Sequence, residues 1–289
     1  MGQTYDRKAQ DVGNIAHFEH VNVKIPSQQV GTAFYVVGMG FTRDPYIMVG
    51  LENMWINLGQ QQFHLPTGGP QVLRGIIGLV VPDLEALTGR LTAVKGALSG
   101  TAFDFAQQNG HVMVTCPWGN RMRVHAPAPE FPFMKLGMPY VEFPVARGSA
   151  AGIGRFYQEA MGAPARMVED ASGIAAYVCF GRGQNLIFRE TSAPIADYDG
   201  HHVALYVVDF SGPHDWLAER GLISEESDPW QYRFEKIVDP KSGEQLFQLE
   251  HEVRSLTHPM YMRPLCNRNP GQRQRGYVPG RDEFQPPLS

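Results

Sequence analysis

Histidine is the residue type in this sequence that offers the most chemistry, with ten copies among 289 residues. A neutral imidazole can bind a transition metal through one ring nitrogen, and it can also move protons near neutral pH. His20 and His202 each begin a run rich in β-branched and apolar residues, at 20–25 and 202–209. A single histidine in a strand is usually structural, so a metal site requires several such positions to converge.

Other catalytic chemistries have little support in the sequence. Cys116, Cys179 and Cys266 are too widely spaced for a disulfide framework or a zinc ribbon, and we expect three reduced thiols. The glycine-rich stretch 148–154 lacks the strand-to-helix context of a phosphate-binding loop. No serine or cysteine stands in a nucleophile-elbow pattern.

The charge and hydropathy pattern favours a cytoplasmic protein. The net charge of −4 arises from 25 basic and 29 acidic residues that are scattered along the chain, so binding to nucleic acid or to an anionic membrane is not expected. The longest apolar runs, such as 203–208, have the length of a strand rather than of a membrane span. The N-terminus does not have the pattern of a secretion signal.

The chain contains an internal repeat. Residues 34–40 read Phe-Tyr-Val-Val-Gly-Met-Gly, and residues 156–162 read Phe-Tyr-Gln-Glu-Ala-Met-Gly. In each copy the aromatic pair can pack a helix onto a sheet, and the last glycine can end that helix in the left-handed conformation. The two segments are therefore predicted to be equivalent parts of a repeated unit.

The later parts of the repeat also match. Residues 76–83 and 202–209 are predicted strands that end in aspartate, and each precedes a predicted helix, at 84–94 and 214–220. A turn then leads into a last strand, at 121–125 and 245–250.

The chain is thus predicted to consist of four units of about 50 to 60 residues, beginning near residues 17, 74, 138 and 201. A proline-rich linker at 127–135 separates two halves. We expect two domains, 1–132 with the first two units and 133–254 with the last two, followed by an irregular tail at 255–289.

The four units resemble the βαβββ modules of the vicinal-oxygen-chelate superfamily, which includes glyoxalase I, bleomycin-resistance proteins and extradiol dioxygenases. The resemblance covers residues 16–252 and is carried best by the two Phe-Tyr…Met-Gly segments and the strand at 202–209. It implies an α+β fold in which four βαβββ modules form two half-barrel cups. Because this superfamily hosts several chemistries, the fold alone does not define a reaction.

The resemblance also implies a ligand set. In such proteins a metal lies on the floor of a cup, held by residues on the first and last strands of two paired modules. The corresponding residues are His20 and His64 in module one, and His202 and Gln248 in module four. In modules two and three, whose cup is predicted to be inactive, these positions carry Ile76 and Arg123, then Tyr140 or Glu142, and Arg189.

Gln248 is an unusual member of this set. Extradiol dioxygenases use two histidines and one carboxylate, the triad typical of non-haem Fe(II), and an amide is a weak ligand. Glu250 lies two residues further and faces the same way, so a two-residue slip or a bulge would bring it into the site. Both residues remain candidate ligands.

The favoured function is that of an Fe(II)-dependent, extradiol-type dioxygenase that acts on a small, vicinally oxygenated aromatic compound. Manganese, zinc and nickel are alternative metals, and His64, Tyr206 or Tyr232 would move protons. A glyoxalase-like isomerase or lyase is the second hypothesis, since that group uses four protein ligands. A metal-free small-molecule binder is the third. A homo-oligomer is compatible with each of them.

Overall fold

The computed structural model describes residues 5–47, 51–132 and 134–269, together with Gly276 and Val278. These residues form the four predicted units, each with the order strand, helix, three strands. After a short 3-10 helix at Lys8–Gln10, the first unit comprises β1 (Ile15–Asn22), α1 (Gln28–Gly31) with a π-helical continuation over Thr32–Gly38, β2 (Thr42–Arg43), β3 (Asn53–Leu58) and β4 (Gln61–Pro66). The second unit comprises β5 (Ile76–Val80), α2 (Leu84–Val94), β6 (Asp104–Gln108), β7 (His111–Thr115) and β8 (Arg121–His125).

The second half of the chain repeats this order. The third unit comprises β9 (Gly137–Ala146), α3 (Ala150–Met161), β10 (Ala165–Asp170), β11 (Gly173–Cys179) and β12 (Asn185–Thr191). The fourth comprises β13 (His202–Val207), α4 (Ser211–Ala218), β14 (Ile223–Asp228), β15 (Gln231–Val238) and β16 (Gln245–Ser255). The predicted α+β fold of four βαβββ modules in two half-barrel cups is confirmed.

The strands form two eight-stranded sheets. The first has the order β14-β15-β16-β13-β1-β4-β3-β2, so it joins the first and fourth units. The second has the order β10-β11-β12-β9-β5-β8-β7-β6 and joins the second and third. Each sheet therefore contains strands from both halves of the chain. The predicted boundary near residue 132 divides the sequence into two halves but does not divide the two sheets. The two folding domains stay a prediction.

Local signals in the sequence explain where several elements begin and end. Asp83 caps α2, because its side chain accepts a hydrogen bond from the amide of Ala86. Gly162 ends α3 with φ 61°, the left-handed conformation predicted for this glycine, and its N–H donates to the carbonyl of Tyr157. By contrast, β16 continues to Ser255, five residues beyond the predicted end. That extension is buried and polar, so it lacks the apolar alternation that marks a strand.

The tail wraps along the first sheet. Among the described residues after β16, 256–269 form turns and irregular structure, whereas Ser255, with which the predicted tail begins, is the last residue of β16. Asn267 is almost fully buried and hydrogen-bonds both the N–H and the carbonyl of Gly59, at 2.9 and 2.8 Å. Arg263 donates to the Asp44 carboxylate at 2.7 Å. None of the helices in the described part of the chain has the length and apolarity needed to cross a membrane.

Candidate metal centre

Three imidazoles meet inside the cup of the first sheet. One potential ligand atom from each of His20, His64 and His202 lies within 4.8 Å of the others. His20 is fully buried and His202 is 7% exposed. The ring centroid of His20 is 5.6 Å from that of His64 and 5.7 Å from that of His202. Three of the predicted ligands therefore lie together.

Strand register explains this convergence. Asn22 on β1 pairs with His202 on β13 on one side and with His64 on β4 on the other. His20 lies two residues before Asn22, so its side chain points to the same face of the sheet. The curvature of the sheet then brings the three rings toward one another.

The unpartnered ring nitrogens fit a metal ion. In each ring Nε2 is buried and has no hydrogen-bond partner among the described residues. The other nitrogen, Nδ1, has a neighbour in every case: Glu19 Oε2 at 3.0 Å from His20, the Asn22 amide at 2.6 Å from His64, and Glu250 Oε1 at 3.2 Å from His202. A carboxylate beside Nδ1, as at His20 and His202, is the usual arrangement of a metal-binding histidine, whereas the group beside Nδ1 of His64 is the amide nitrogen of Asn22. Buried polar atoms without partners are costly, and a divalent ion would satisfy all three.

The environment keeps these rings in the form that binds metals. Burial, assisted by electrostatic repulsion from His20 and Arg254, lowers the pKa of His64 to about 2. Burial also lowers the pKa of His202 well below its usual value, again assisted by nearby positive groups. Both imidazoles are therefore neutral at ordinary pH, with a lone pair available for a metal.

The carboxylate next to this cluster belongs to a residue that the sequence analysis missed. Glu252 Oε2 lies 3.5 Å from His202 Nε2, and the residue is 3% exposed. Asn22 and Ala204 each lie two residues after the histidine that β1 and β13 contribute to the cluster. Asn22 pairs with His64 and Ala204 pairs with Glu252, so His64 and Glu252 occupy equivalent positions in the two units. Charged residues at every second position of a buried strand, from 250 to 254, were the signal that could have revealed it.

The structure corrects the predicted position of Gln248 and locates Glu250. Gln248 lies beyond the end of β13, and its side-chain amide donates to Glu235 at 2.9 Å rather than contacting an imidazole. The prediction equated Gln248 with His64. In the observed strand pairing the residue equivalent to His64 is Glu252, which lies four residues later on the longer strand β16. Glu250 lies beside His202 Nδ1, and burial raises its pKa although Arg233 opposes this.

Two arginines hold the carboxylates of this cup. Arg233 bridges Glu250 and Glu252, with 2.5 Å to each. Arg254 bridges Glu252, at 2.5 Å, and Glu19. Glu19 reaches the cup because β1 has a bulge between Phe18 and His20. Burial raises the pKa of Glu19, but Arg254 and His20 outweigh it and lower the pKa to about 2.

The two tyrosines that were predicted to move protons lie on different faces of the first sheet. Tyr206 is in the cup, where its O–H donates to Glu19 at 3.1 Å. The structure corrects the placement of Tyr232, whose ring packs against Phe210 and His214 on the helix side. Side chains alternate along a strand, so Arg233 faces the cup and its neighbour Tyr232 does not. Tyr232 has no contact with the histidine cluster among the described residues.

The second cup carries structural interactions at the corresponding positions. His125 Nε2 and Arg123 lie 2.8 and 3.3 Å from the Tyr140 hydroxyl. Arg189 pairs with Asp170 at 3.0 Å and with Glu142 at 3.4 Å. In the described residues the only group of three or more potential metal ligands is the one in the first cup. Among the described residues the two cups thus differ in their potential metal ligands, and the inactivity of the second cup stays a prediction.

A pair of substitutions separates Glu252 from Gln248 as a contributor to the metal centre. We expect Glu252→Gln to weaken divalent-metal affinity by about 10- to 100-fold, since it removes the only carboxylate at the positions equivalent to the ligands. We expect Gln248→Ala to change it by less than about twofold, because that side chain is directed to Glu235. Metal titration by calorimetry measures both, and the opposite order would restore Gln248 as the ligand.

Solved structures share this fold. Glyoxalase I from Zea mays aligns with 83% of this chain and 92% of its own, at 14% identity and a TM-score of 0.58. A candidate dioxygenase from Bacillus subtilis aligns with 84% of this chain and 86% of its own, at 13% identity and a TM-score of 0.53. The chain therefore has the fold of vicinal-oxygen-chelate proteins, and the resemblance seen in the sequence is confirmed at the level of fold.

Comparisons by sequence add nothing to this assignment. No family model matches the chain, and no curated protein is significantly similar to it. The particular reaction therefore has to be inferred from the site.

Proposed function

We propose that this protein is a metal-dependent enzyme of the vicinal-oxygen-chelate type. His20, His64 and His202 hold a divalent metal, and Glu252 supplies a neighbouring carboxylate. The observation that carries the proposal is the convergence of three imidazoles in one cup, each with a buried Nε2 that has no hydrogen-bond partner among the described residues. The substrate is a small molecule with two adjacent oxygen atoms, the group for which such a cup is suited.

The favoured reaction is dioxygenase-like ring opening of a vicinally oxygenated aromatic compound. Non-haem Fe(II) oxygenases use two histidines and one carboxylate and leave positions open for substrate and oxygen, and this cup offers both kinds of ligand, in the three imidazoles and in Glu252. When bound, the metal would act as a Lewis acid that lowers the pKa of a substrate hydroxyl and holds its oxygens. Fe(II) is the metal that we favour, and imidazole ligands also suit zinc and nickel.

The residues around the imidazoles orient them and carry protons. Glu19 accepts the Nδ1 hydrogen of His20, which directs Nε2 of that ring to the metal. Trp55 stacks on His64 at 3.9 Å between ring centroids and limits its rotation. Glu250 is the group that we assign to hold a proton, because its pKa is raised by burial and it lies beside His202. Tyr206 O–H supports the Glu19 carboxylate.

A glyoxalase-like isomerase or lyase is the second candidate, and one observation favours it. Glu252 Oε2 lies 3.5 Å from His202 Nε2, so one rotation of the carboxylate would make it a fourth protein ligand. Four protein ligands leave fewer open positions and suit proton transfer at a bound substrate better than oxygen activation.

The test begins with elemental analysis of protein purified without chelators. We expect about one divalent ion per chain, since one group of ligands is present among the described residues. Protein loaded anaerobically with Fe(II) is then mixed with catechols and hydroquinones in an oxygen electrode. Oxygen uptake with a ring-opened product supports the dioxygenase, whereas isomerisation of a hemithioacetal without oxygen uptake supports the second candidate. Protein that neither contains nor binds a divalent metal would contradict both and leave a metal-free binder.

A further inference from the structure

The C-terminal segment and the first sheet enclose a cavity that the proposed reaction does not use. Its volume is about 330 Å³, within the range of small-molecule sites. His17, Glu19 and Tyr206 form one wall, and Met134 and Leu136 form part of another. The segment at 260–265 closes the third side.

This cavity is separate from the metal centre. His20, His64 and His202 are absent from its walls. Glu19 does line it, and the same carboxylate lies 3.0 Å from Nδ1 of His20. Glu19 therefore lies between the cavity and the His20 ring, because its carboxylate lines the one and hydrogen-bonds Nδ1 of the other.

Hydrogen bonds within the protein already involve several polar side chains of the wall. Gln184 pairs with both the N–H and the carbonyl of Phe18, each at 3.1 Å. Tyr206 O–H donates to Glu19, whose charge is compensated by Arg254. Because these groups are already paired, burial of apolar surface must supply most of the binding free energy of a neutral occupant.

The apolar wall is suited to an aromatic ring. Met134, Met260 and Met262 contribute flexible thioethers, which fit irregular shapes and make favourable contacts with aromatic edges. Tyr206 and Tyr261 are 4.9 Å apart between ring centroids. Aromatic side chains also add specific ring-to-ring attraction. We propose that this cavity is a second binding site, for a neutral aromatic molecule of one or two rings.

The tail forms part of a defined site because it is anchored within the segment that lines the cavity and directly after it. Asn57 donates to the carbonyl of Cys266 at 3.0 Å, and Asn267 pairs with Gly59. Arg263 is held by Asp44, whose side chain is fully buried. The segment that closes the cavity therefore has a fixed position without an occupant, which reduces the entropy cost of binding.

Metal-free protein titrated with 2-naphthol in a calorimeter tests the proposal, together with an anomalous-diffraction map of crystals soaked in 6-bromo-2-naphthol. We expect saturable binding at one site and bromine in the cavity lined by Leu136, Tyr206 and the segment at 260–265. Ala16→Leu and Leu136→Trp, which put larger groups into the cavity, should each weaken binding at least about tenfold. Ala106→Leu, the same change at an exposed position of β6, should leave it unchanged.

The proposal is overturned if wild-type protein does not bind the naphthol, if bromine appears beside the histidines, or if both cavity-filling variants bind normally. Circular dichroism and metal titration of each variant establish that the fold and the first cup are intact. Because the binding measurements use metal-free protein, their failure is distinguishable from failure of the proposed enzyme activity.

Discussion

Replacement of both His20 and His202 by alanine is expected to weaken divalent-metal binding by more than about 100-fold, beyond the loss typical of a residue that only supports a ligand. The two rings come from β1 and β13, the central strands of the first sheet. Without them only His64 remains of the three converging imidazoles. The measurement is a competition titration with a chromogenic chelator, followed by elemental analysis of the dialysed protein.

The matched control for this variant is His214→Ala. Like His202, His214 lies next to carboxylates, but it is on α4 rather than in the cup and its side chain is 30% exposed. We expect the His214→Ala variant to bind divalent metal with the affinity of the wild type. Full metal content in the double variant would place the ion elsewhere and contradict the proposed ligand set. Loss of metal in the control would indicate that metal binds to surface histidines.

Arg254→Met is expected to lower the free energy of unfolding by about 3 to 5 kcal/mol, the cost of breaking a buried ion pair on one side. The guanidinium of Arg254 bridges Glu19 and Glu252, and all three side chains are less than 10% exposed. Methionine fills a similar volume without the charge, so two carboxylates are left in a poorly solvated cup with one fewer positive partner. Urea unfolding monitored by circular dichroism measures the difference.

Two further variants test the cause of this loss. Arg220→Met removes an exposed arginine whose partner Glu219 is 75% exposed, and we expect less than about 0.5 kcal/mol. Adding Glu19→Gln to Arg254→Met should recover part of the loss, because it removes one of the stranded charges. If the double variant is less stable by the sum of two independent effects, the ion-pair explanation is wrong.

The sequence was sufficient to predict the architecture because the repeat is local and regular. The helix at Leu84–Val94 and the strand at Arg121–His125 begin and end where they were predicted. Gly162 ends its helix in the left-handed conformation, which has a direct residue signal. The pairing of the outer modules followed from the distribution of imidazoles, and the sheet order confirms it.

The composition of the cup was less accessible because it depends on register and on strand irregularity. Glu252 lies beside His202 because the long strand β16 continues past residue 250 along β13. No turn residue in the sequence indicates that β16 is five residues longer than β4. Glu19 shares a face with its neighbour His20 only because a bulge breaks the alternation of β1. The positions of Arg233 and Arg254 in the cup depend on the same long-range strand pairing. That pairing is decided by tertiary packing rather than by the β-propensity of single residues.

The seam between β1 and β13 has a consequence for biosynthesis. It joins Asn22 to His202, so the ribosome must release nearly three quarters of the polypeptide before β1, which can pair with β4 earlier, finds its second neighbour. The inner pair of modules is contiguous in the chain and can assemble earlier, whereas closure of the long loop between the outer pair is slow. Until then β1 exposes an unmatched edge, and nascent protein is most vulnerable to aggregation in that interval.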